Sequence, residues 1–238
     1  MNDILNNWLE SSSAQKFFEQ ERHSFQTISD PLCGQMGIQL SLCEKVSYQK
    51  ELLISSQYQM LQNLDNSDKE FPTVIAELEA LPFANNQFRV VIVPQMNLFC
   101  IDPHAALREI YRITDSDGFI AISGINQTSL IALQAKLSPK KFPFLPTVGL
   151  GQMKVWLSLL GCDIVRGKLF HYSAMQNRSQ YPTIARSIER IGDRWLPMFA
   201  GGYWLVAKKR IFGQVIPGPR TLKRYKPTRM ANQIANKL

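Results

Sequence analysis

Residues 77–126 read Glu77-Leu-Glu-Ala-Leu-Pro-Phe83, then Phe88-Arg-Val-Val-Ile-Val93, then Asp102-Pro-His-Ala-Ala-Leu-Arg-Glu-Ile-Tyr-Arg112, then Gly118-Phe-Ile-Ala-Ile-Ser-Gly-Ile-Asn126. A loop, a strand, a helix and a second strand follow one another with short joints. Both strands are almost wholly apolar, as expected when a sheet is covered on its two faces. The helix between them carries its own start signal, with Asp102 as N-cap and Pro103 in the first turn. Leu107, Ile110 and Tyr111 lie at i, i+3 and i+4 on one face, and Arg108, Glu109 and Arg112 fall on the other. Asp115-Ser-Asp-Gly118 supplies a turn into the second strand. This is half of a doubly wound α/β sheet.

Working outward, Gly37 to Cys43 alternates apolar and polar residues and predicts a first strand. Glu51 to Ser55 and Phe71 to Glu77 predict a second and a third. Gln152 to Leu160 predicts a helix stopped by Gly161. Cys162 to Val165 and Tyr203 to Ala207 predict two last strands, and Thr128 to Lys136 another helix. Asp3 to Ser29 reads as helical, broken at Ser11-Ser-Ser13 and ended by Asp30-Pro31. The expected organisation is an N-terminal helical segment over 1–30, an α/β domain over 31–212 and a basic tail over 213–238. The fold class is α/β, with a doubly wound, mostly parallel seven-stranded sheet of the Rossmann-like kind.

The bulk properties agree with this. A chain of 238 residues that is 45% hydrophobic can bury one α/β core with short extensions. No window approaches the roughly 18 apolar residues of a membrane span. The N-terminus lacks the basic-then-apolar order of a signal peptide, so a cytoplasmic protein with no transmembrane segment is expected. Cys33, Cys43, Cys100 and Cys162 form no C-x-x-C pair and are expected to be small buried residues. His23, His104 and His171 have no metal-ligand spacing, so no metal is expected. The charge of +8 sits at one end: after Asp193 there is no acid, and ten Lys and Arg residues follow. Residues 1–193 therefore hold 17 basic residues (27 − 10) against 19 acidic. Such an arm suits a polyanion, RNA first through its phosphates, unless it is simply solvated.

The wording of residues 77–126 resembles the class I S-adenosylmethionine-dependent methyltransferases, especially the large group with a D-A-x-x-L-P-F loop. There the loop is followed by F-D-V-V and by D-P-x-x-A-L-x-E-x-x-R-x-L-x-x-G-G-x-x-x-I-S. Leu81-Pro-Phe83, Asp102-Pro103, Ala106-Leu107, Glu109, Arg112, Gly118 and Ile122-Ser123 carry the match. The nearest likeness is to a bacterial subgroup with an N-terminal helical segment and a basic tail. The resemblance implies transfer of a methyl group from S-adenosylmethionine to an acceptor that the sequence does not identify. It implies that Glu77, with Leu78 beside it, lies near the cofactor's adenine, although Glu77 also reads as a solvated loop carboxylate. Pro94 and Gln95 are implied to line the methyl-donor pocket, and Phe99, His171 and Tyr172 the substrate side. His171 also reads as a surface residue.

Two positions depart from the family's pattern. Where it has G-x-G-x-G after the first strand, this chain has Leu42-Cys43-Glu44-Lys45-Val46. Cys43 and Glu44 take the place of glycines that let a backbone approach the methionine part of the cofactor. Where it has an acid after the second strand, this chain offers Ser55 and Ser56. The sequence therefore supports three readings: a methyltransferase, a catalytically degenerate relative, and a nucleic-acid-associated module acting through its tail.

Overall fold

The structure, a computed structural model, describes residues 9, 11–42, 47–62, 70–126, 129, 148–170 and 200–210. In chain order they form α1 (Ser12–Gln26), β1 (Cys33–Ser41), β2 (Leu53–Leu61), β3 (Thr73–Ile75), β4 (Phe88–Val93), α2 (Pro103–Ile113), β5 (Thr114–Ile125), α3 (Leu150–Leu159), β6 (Cys162–Phe170) and β7 (Gly202–Lys209). One seven-stranded sheet has the order β3-β2-β1-β4-β5-β7-β6. β1 to β5 are parallel, and β7 runs antiparallel between β5 and β6. The predicted mostly parallel seven-stranded sheet is therefore present. The helix expected over 128–136 and the tail over 213–238 lie outside the described residues.

The two faces of this sheet differ chemically. Hydrogen-bonded partners share a face and successive residues alternate. Gln59, Gln39, Ile92, Ala121, Ser123 and Trp204 therefore lie on one face, through the pairs Gln39↔Gln59, Gln39↔Ile92, Ile92↔Ala121 and Ser123↔Trp204. Met60, Leu40, Val91, Ile122 and Leu205 lie on the other and are buried. α1 covers the first face, where Phe25 packs on Trp204 with ring centroids 4.8 Å apart. α2 and α3 cover the second. There Tyr203 Oη donates to the Val148 carbonyl at 3.1 Å, just ahead of α3, and Lys209 reaches the end of α2. Helices on both faces make the sheet doubly wound.

The polar face is buried all the same. Gln39 and Gln59 are at most 1% exposed. Gln39 is satisfied within the fold, donating to Ser41 Oγ at 2.7 Å and accepting from the Tyr48 backbone N–H at 2.8 Å. The connection that covers it runs from residue 42 to 52, near the shortest that can join parallel strands. Among its described residues it holds only a 3-10 turn, Gln49–Glu51. β1 starts at Cys33, ahead of its predicted start, and ends at Ser41, short of its predicted end, while β2 runs from Leu53 to Leu61, past its predicted end. Gly34 and Gly37 lie inside β1 and not ahead of it.

α2 starts where its sequence says it should. Asp102 accepts from the backbone of His104 and Ala105. Glu79 Oε1 accepts from the N–H of Ile101 at 2.8 Å and of Asp102 at 3.1 Å, which steadies the entry. Gly118 follows because a Cβ there would meet the Arg89 backbone oxygen at 3.0 Å and the Asp115 oxygen at 2.9 Å. Gly161, at φ 82, is the left-handed residue that closes α3. Lys209 Nζ donates to Asn86 Oδ1, the Tyr111 carbonyl and the Thr114 carbonyl at 2.8, 2.9 and 2.7 Å, pinning β7 to the α2–β5 joint. Trp156 is half-buried and meets the exposed His104 ring in a tilted contact with centroids 3.9 Å apart. Cys100 and Cys162 are buried as expected, and burial pushes the Cys162 thiol up to about 11. Cys33 is exposed, because it opens β1 outside the core.

The family-like residues Leu81, Phe83, Glu109 and Arg112 form one clasp. Arg112 donates to both Glu109 oxygens at 2.8 Å, to the carbonyls of Leu81 at 2.9 Å and Phe83 at 2.7 Å, and to Asn85 Oδ1 at 2.8 Å. Glu109 in turn accepts from the Leu81 N–H at 3.0 Å. The Arg112 guanidinium holds the Glu109 carboxyl below its usual range. A planar fork is needed to meet several carbonyls and a carboxylate at once, and lysine has none. Arg112→Lys is expected to cost about 1–2 kcal/mol in urea unfolding. It should also speed amide exchange at Leu81; unchanged stability and exchange would show the clasp to be incidental.

Candidate functional site at the carboxyl edge of the sheet

Because β1 to β4 are parallel, their carboxyl ends lie along one edge, the place where open α/β sheets hold ligands. β3 delivers Ala76, Glu77 and Leu78 there, and β4 delivers Pro94 and Gln95. Glu77 is exposed and forms an isolated bridge with Ala80. Leu78 is fully buried, so it anchors the turn that presents Glu77. Pro94 is buried, and Gln95 is 6% exposed in the left-handed conformation at φ 46. Phe99 is 3% exposed and belongs to the core beneath this edge, not to an opening in it. Cys43, Glu44, His171 and Tyr172 lie outside the described residues.

The end of β2 differs from expectation. Ser55 and Ser56 are exposed in mid-strand, and β2 pairs with β1 as far as Leu61. The residue at its carboxyl end is therefore Gln62, whose N–H donates to the Ser41 carbonyl at 3.3 Å. Polar Gln57 and Gln59 disguised the second half of this strand as a loop. Only their placement on the amide-rich face shows why they belong in it.

A second departure is a carboxylate that the sequence did not single out. Glu21 of α1 has no exposed surface. Its two oxygens accept short hydrogen bonds, one from Ser123 Oγ near the end of β5 and one from Gln95 Nε2 just past β4. Ser123 Oγ also accepts from the Gln95 backbone N–H at 2.7 Å. Trp204 Nε1 donates to the Glu21 carbonyl at 3.2 Å. The Tyr48 hydroxyl is buried beside the cluster without hydrogen-bond geometry, and burial and the nearby carboxylate raise its proton affinity well above normal. Burial pushes the Glu21 carboxyl up to about 7, against the opposing hydrogen bond of Ser123. The reason Glu21 escapes sequence reading is plain: it sits among Gln20, Arg22 and other polar residues of an amphipathic helix, and only the tertiary fold buries it.

Among the described residues no group of three or more His, Cys, Asp or Glu could hold a metal ion. No described helix is long and apolar enough to cross a membrane.

Comparison with known proteins agrees with this geometry. The sequence model of a family described as "Methyltransferase domain" matches residues 30–122, from the start of β1 nearly to the end of β5. An uncharacterized protein of Escherichia coli, YafS, is 36% identical over 95 residues, spanning 38% of this chain and 39% of that protein. The chain thus matches about two fifths of this curated relative's length. Among solved structures, a SAM-dependent methyltransferase from Archaeoglobus fulgidus superposes with a TM-score of 0.55 at 17% identity, covering 82% of this chain and 97% of that one. An S-adenosylmethionine-dependent methyltransferase from Mesorhizobium loti gives 0.58 at 11% identity, covering 79% and 96%. Those two likenesses speak to the fold. Residues 30–122, about two fifths of the chain, are thus similar to the methyltransferase domain family, and the run from Leu81 to Ile122 lies within them.

Proposed function

We propose that this chain transfers a methyl group from S-adenosylmethionine to an acceptor, with the donor held at the carboxyl edge of β1 to β4. The observation that carries this is the convergence of Glu77, Gln62 and Gln95 on that edge, within the stretch that matches the methyltransferase family. The residues present fit the adenosine end of the donor. Glu77 offers an exposed carboxylate to an adenine amino group, and Gln62 offers an amide oxygen to a ribose hydroxyl. The methionine end would face residues 43–46, with the Cys43 or Glu44 that replaces glycine. The cofactor, when bound, supplies an electrophilic methyl group and its own leaving group. The chain then contributes orientation and exclusion of water. Pro94 and Gln95 are rigidly seated, and Glu21 fixes the Gln95 amide.

A second reading is favoured by one observation. The side-chain amide N–H of Gln95 and the hydroxyl of Ser123 are already engaged by Glu21. A relative that keeps the sheet and has abandoned transfer would look like this. Calorimetric titration with S-adenosylmethionine separates the two. Binding is expected, and Glu77→Ala should weaken it roughly tenfold through the lost charged hydrogen bond. Neither heat nor a thermal shift at millimolar cofactor would sink the transfer reading.

The Glu21 carboxyl gives a second test with a defined sign. Its folded-state affinity for a proton exceeds that of the unfolded chain, so the native state binds more protons between the ordinary value of 4.5 and about 7. Stability from this group is therefore full at low pH and falls as pH rises through that window. Glu21→Gln mimics the protonated form and should flatten the dependence. Relative to the variant, the wild-type chain is expected to lose on the order of 3 kcal/mol between pH 4 and pH 8. Parallel pH profiles would remove Glu21 from this role.

For the basic tail we propose RNA as the polyanion it meets. Removing residues 213–238 should abolish low-salt RNA retention on a filter, and equal retention by the truncated chain would exclude the tail.

A further inference from the structure

The face of the sheet beneath α1 carries a cleft of about 280 Å³ that none of the carboxyl-edge residues lines. Its floor is Gln59, in β2, and its walls are the 42–52 connection, Arg22 of α1 and the Glu70-Phe71 pair before β3. Three polar atoms of the lining are buried without a partner: Gln59 Nε2, Glu51 Oε2 and Ser47 Oγ. Gln59 is 1% exposed, so its amide is fixed in place rather than solvated. Buried polar atoms normally have partners, and three unpaired ones around one cleft mark a place shaped to receive them.

The charges that the described residues bring to the cleft balance. Arg22 Nε stands 3.5 Å from Glu51 Oε1, and Arg22 also donates to the Ser47 carbonyl at 3.2 Å. Lys50 Nζ stands 2.7 Å from Glu70 Oε2 across the mouth. Two cations and two carboxylates therefore surround one donor (Gln59 Nε2), one acceptor (Glu51 Oε2) and one hydroxyl able to act as either. A simple anion would meet Arg22, Lys50 and Gln59 but would be repelled by Glu51 and Glu70. A simple cation would meet the reverse problem. A molecule carrying both charges a few ångströms apart satisfies every group, with its carboxylate toward Gln59 and Lys50 and its ammonium toward Glu51 and Ser47. The half-buried Phe71 ring leaves an apolar wall for a short side chain. The volume is at the small end for ligand pockets, which suits a ligand of few atoms.

We propose that this cleft is a binding site for a small zwitterion of the α-amino-acid class, separate from the donor site and independent of the methyl-transfer reading. The full-length chain would be titrated with glycine, L-serine and L-glutamine by calorimetry and thermal shift. Sodium acetate and ethylammonium chloride serve as single-charge controls, and S-adenosylmethionine as competitor. At least one amino acid should bind in the micromolar to millimolar range, with neither single-charge control binding comparably. Glu51→Gln keeps the shape and removes the charge; Gln59→Met keeps the volume and removes the donor. Each should weaken amino-acid binding by about tenfold or more, while leaving S-adenosylmethionine affinity unchanged. The proposal is overturned by the absence of amino-acid binding at 10 mM (roughly −3 kcal/mol at the 1 M standard state), by binding that survives both substitutions, or by equal binding of acetate alone. Competitive displacement by S-adenosylmethionine would overturn it too, by making the cleft part of the donor site.

Discussion

A carboxylate with no exposed surface must find its hydrogen-bond donors inside the protein, and Glu21 finds them on β5 and just beyond β4. That requirement fixes a great deal at once. It sets the rotation of α1 against the sheet, because the carboxylate reaches Ser123 and Gln95 while Phe25, one turn on, packs against Trp204 and Tyr48. It holds Gln95 in a left-handed conformation that few non-glycine residues adopt without support. It also places a proton-binding group at the carboxyl edge, where open α/β sheets hold ligands. Replacing one partner of such a buried cluster leaves the others unpaired, so the cluster is more costly to break than to have omitted.

The same helix explains the unusual chemistry of the face it covers. Parallel sheets are ordinarily coated by apolar crossover helices, and the α2–α3 face follows that rule. The α1 face does not, because the described residues of the β1–β2 connection hold only the 3-10 turn Gln49–Glu51 and cover the strands with side-chain amides. Gln39 is satisfied from within this layer, and Gln49 donates to the Tyr58 carbonyl at 2.6 Å. Gln59 is left with an unpaired donor. The amide cover, the absence of glycine over residues 42–52 and the polar cleft thus meet on one face of the sheet.

How much of this could be read from the chain alone follows from how local each signal is. β4 and α2 were legible because their causes lie within a few residues, an apolar run and an N-cap with proline behind it, whereas Asp115 to Gly118, read as a turn, lie inside β5 at a register irregularity opposite Arg89. The clasp residues were visible as a family-like pattern, but the pattern could not say that Arg112 binds loop carbonyls and not a ligand. β2 was read short, since Gln57 and the buried Gln59 mimic surface residues until the amide layer is known, and β1 was begun late, at Gly37, because its first residues, Cys33 to Met36, are not buried. Gln62 was missed as a direct result, because a strand read six residues short places its end at Ser55. Glu21 was illegible for the opposite reason: its helix was correctly expected, but no helical periodicity distinguishes a glutamate facing solvent from one facing Ser123.

The placement of β7 has a bearing on how the sheet is made. β6 precedes β7 along the chain, yet its only neighbour in the sheet is β7, which lies between it and β5. As the chain emerges during synthesis, the parallel strands and α2 can assemble in order, since each meets a partner already present. β6 cannot join them. It waits until Tyr203 to Lys209 have been made and inserted. Lys209 then locks that insertion by reaching the α2–β5 joint. The nascent chain therefore passes through a state with an open, apolar β5 edge, which makes this interval the one in which it most needs protection from aggregation.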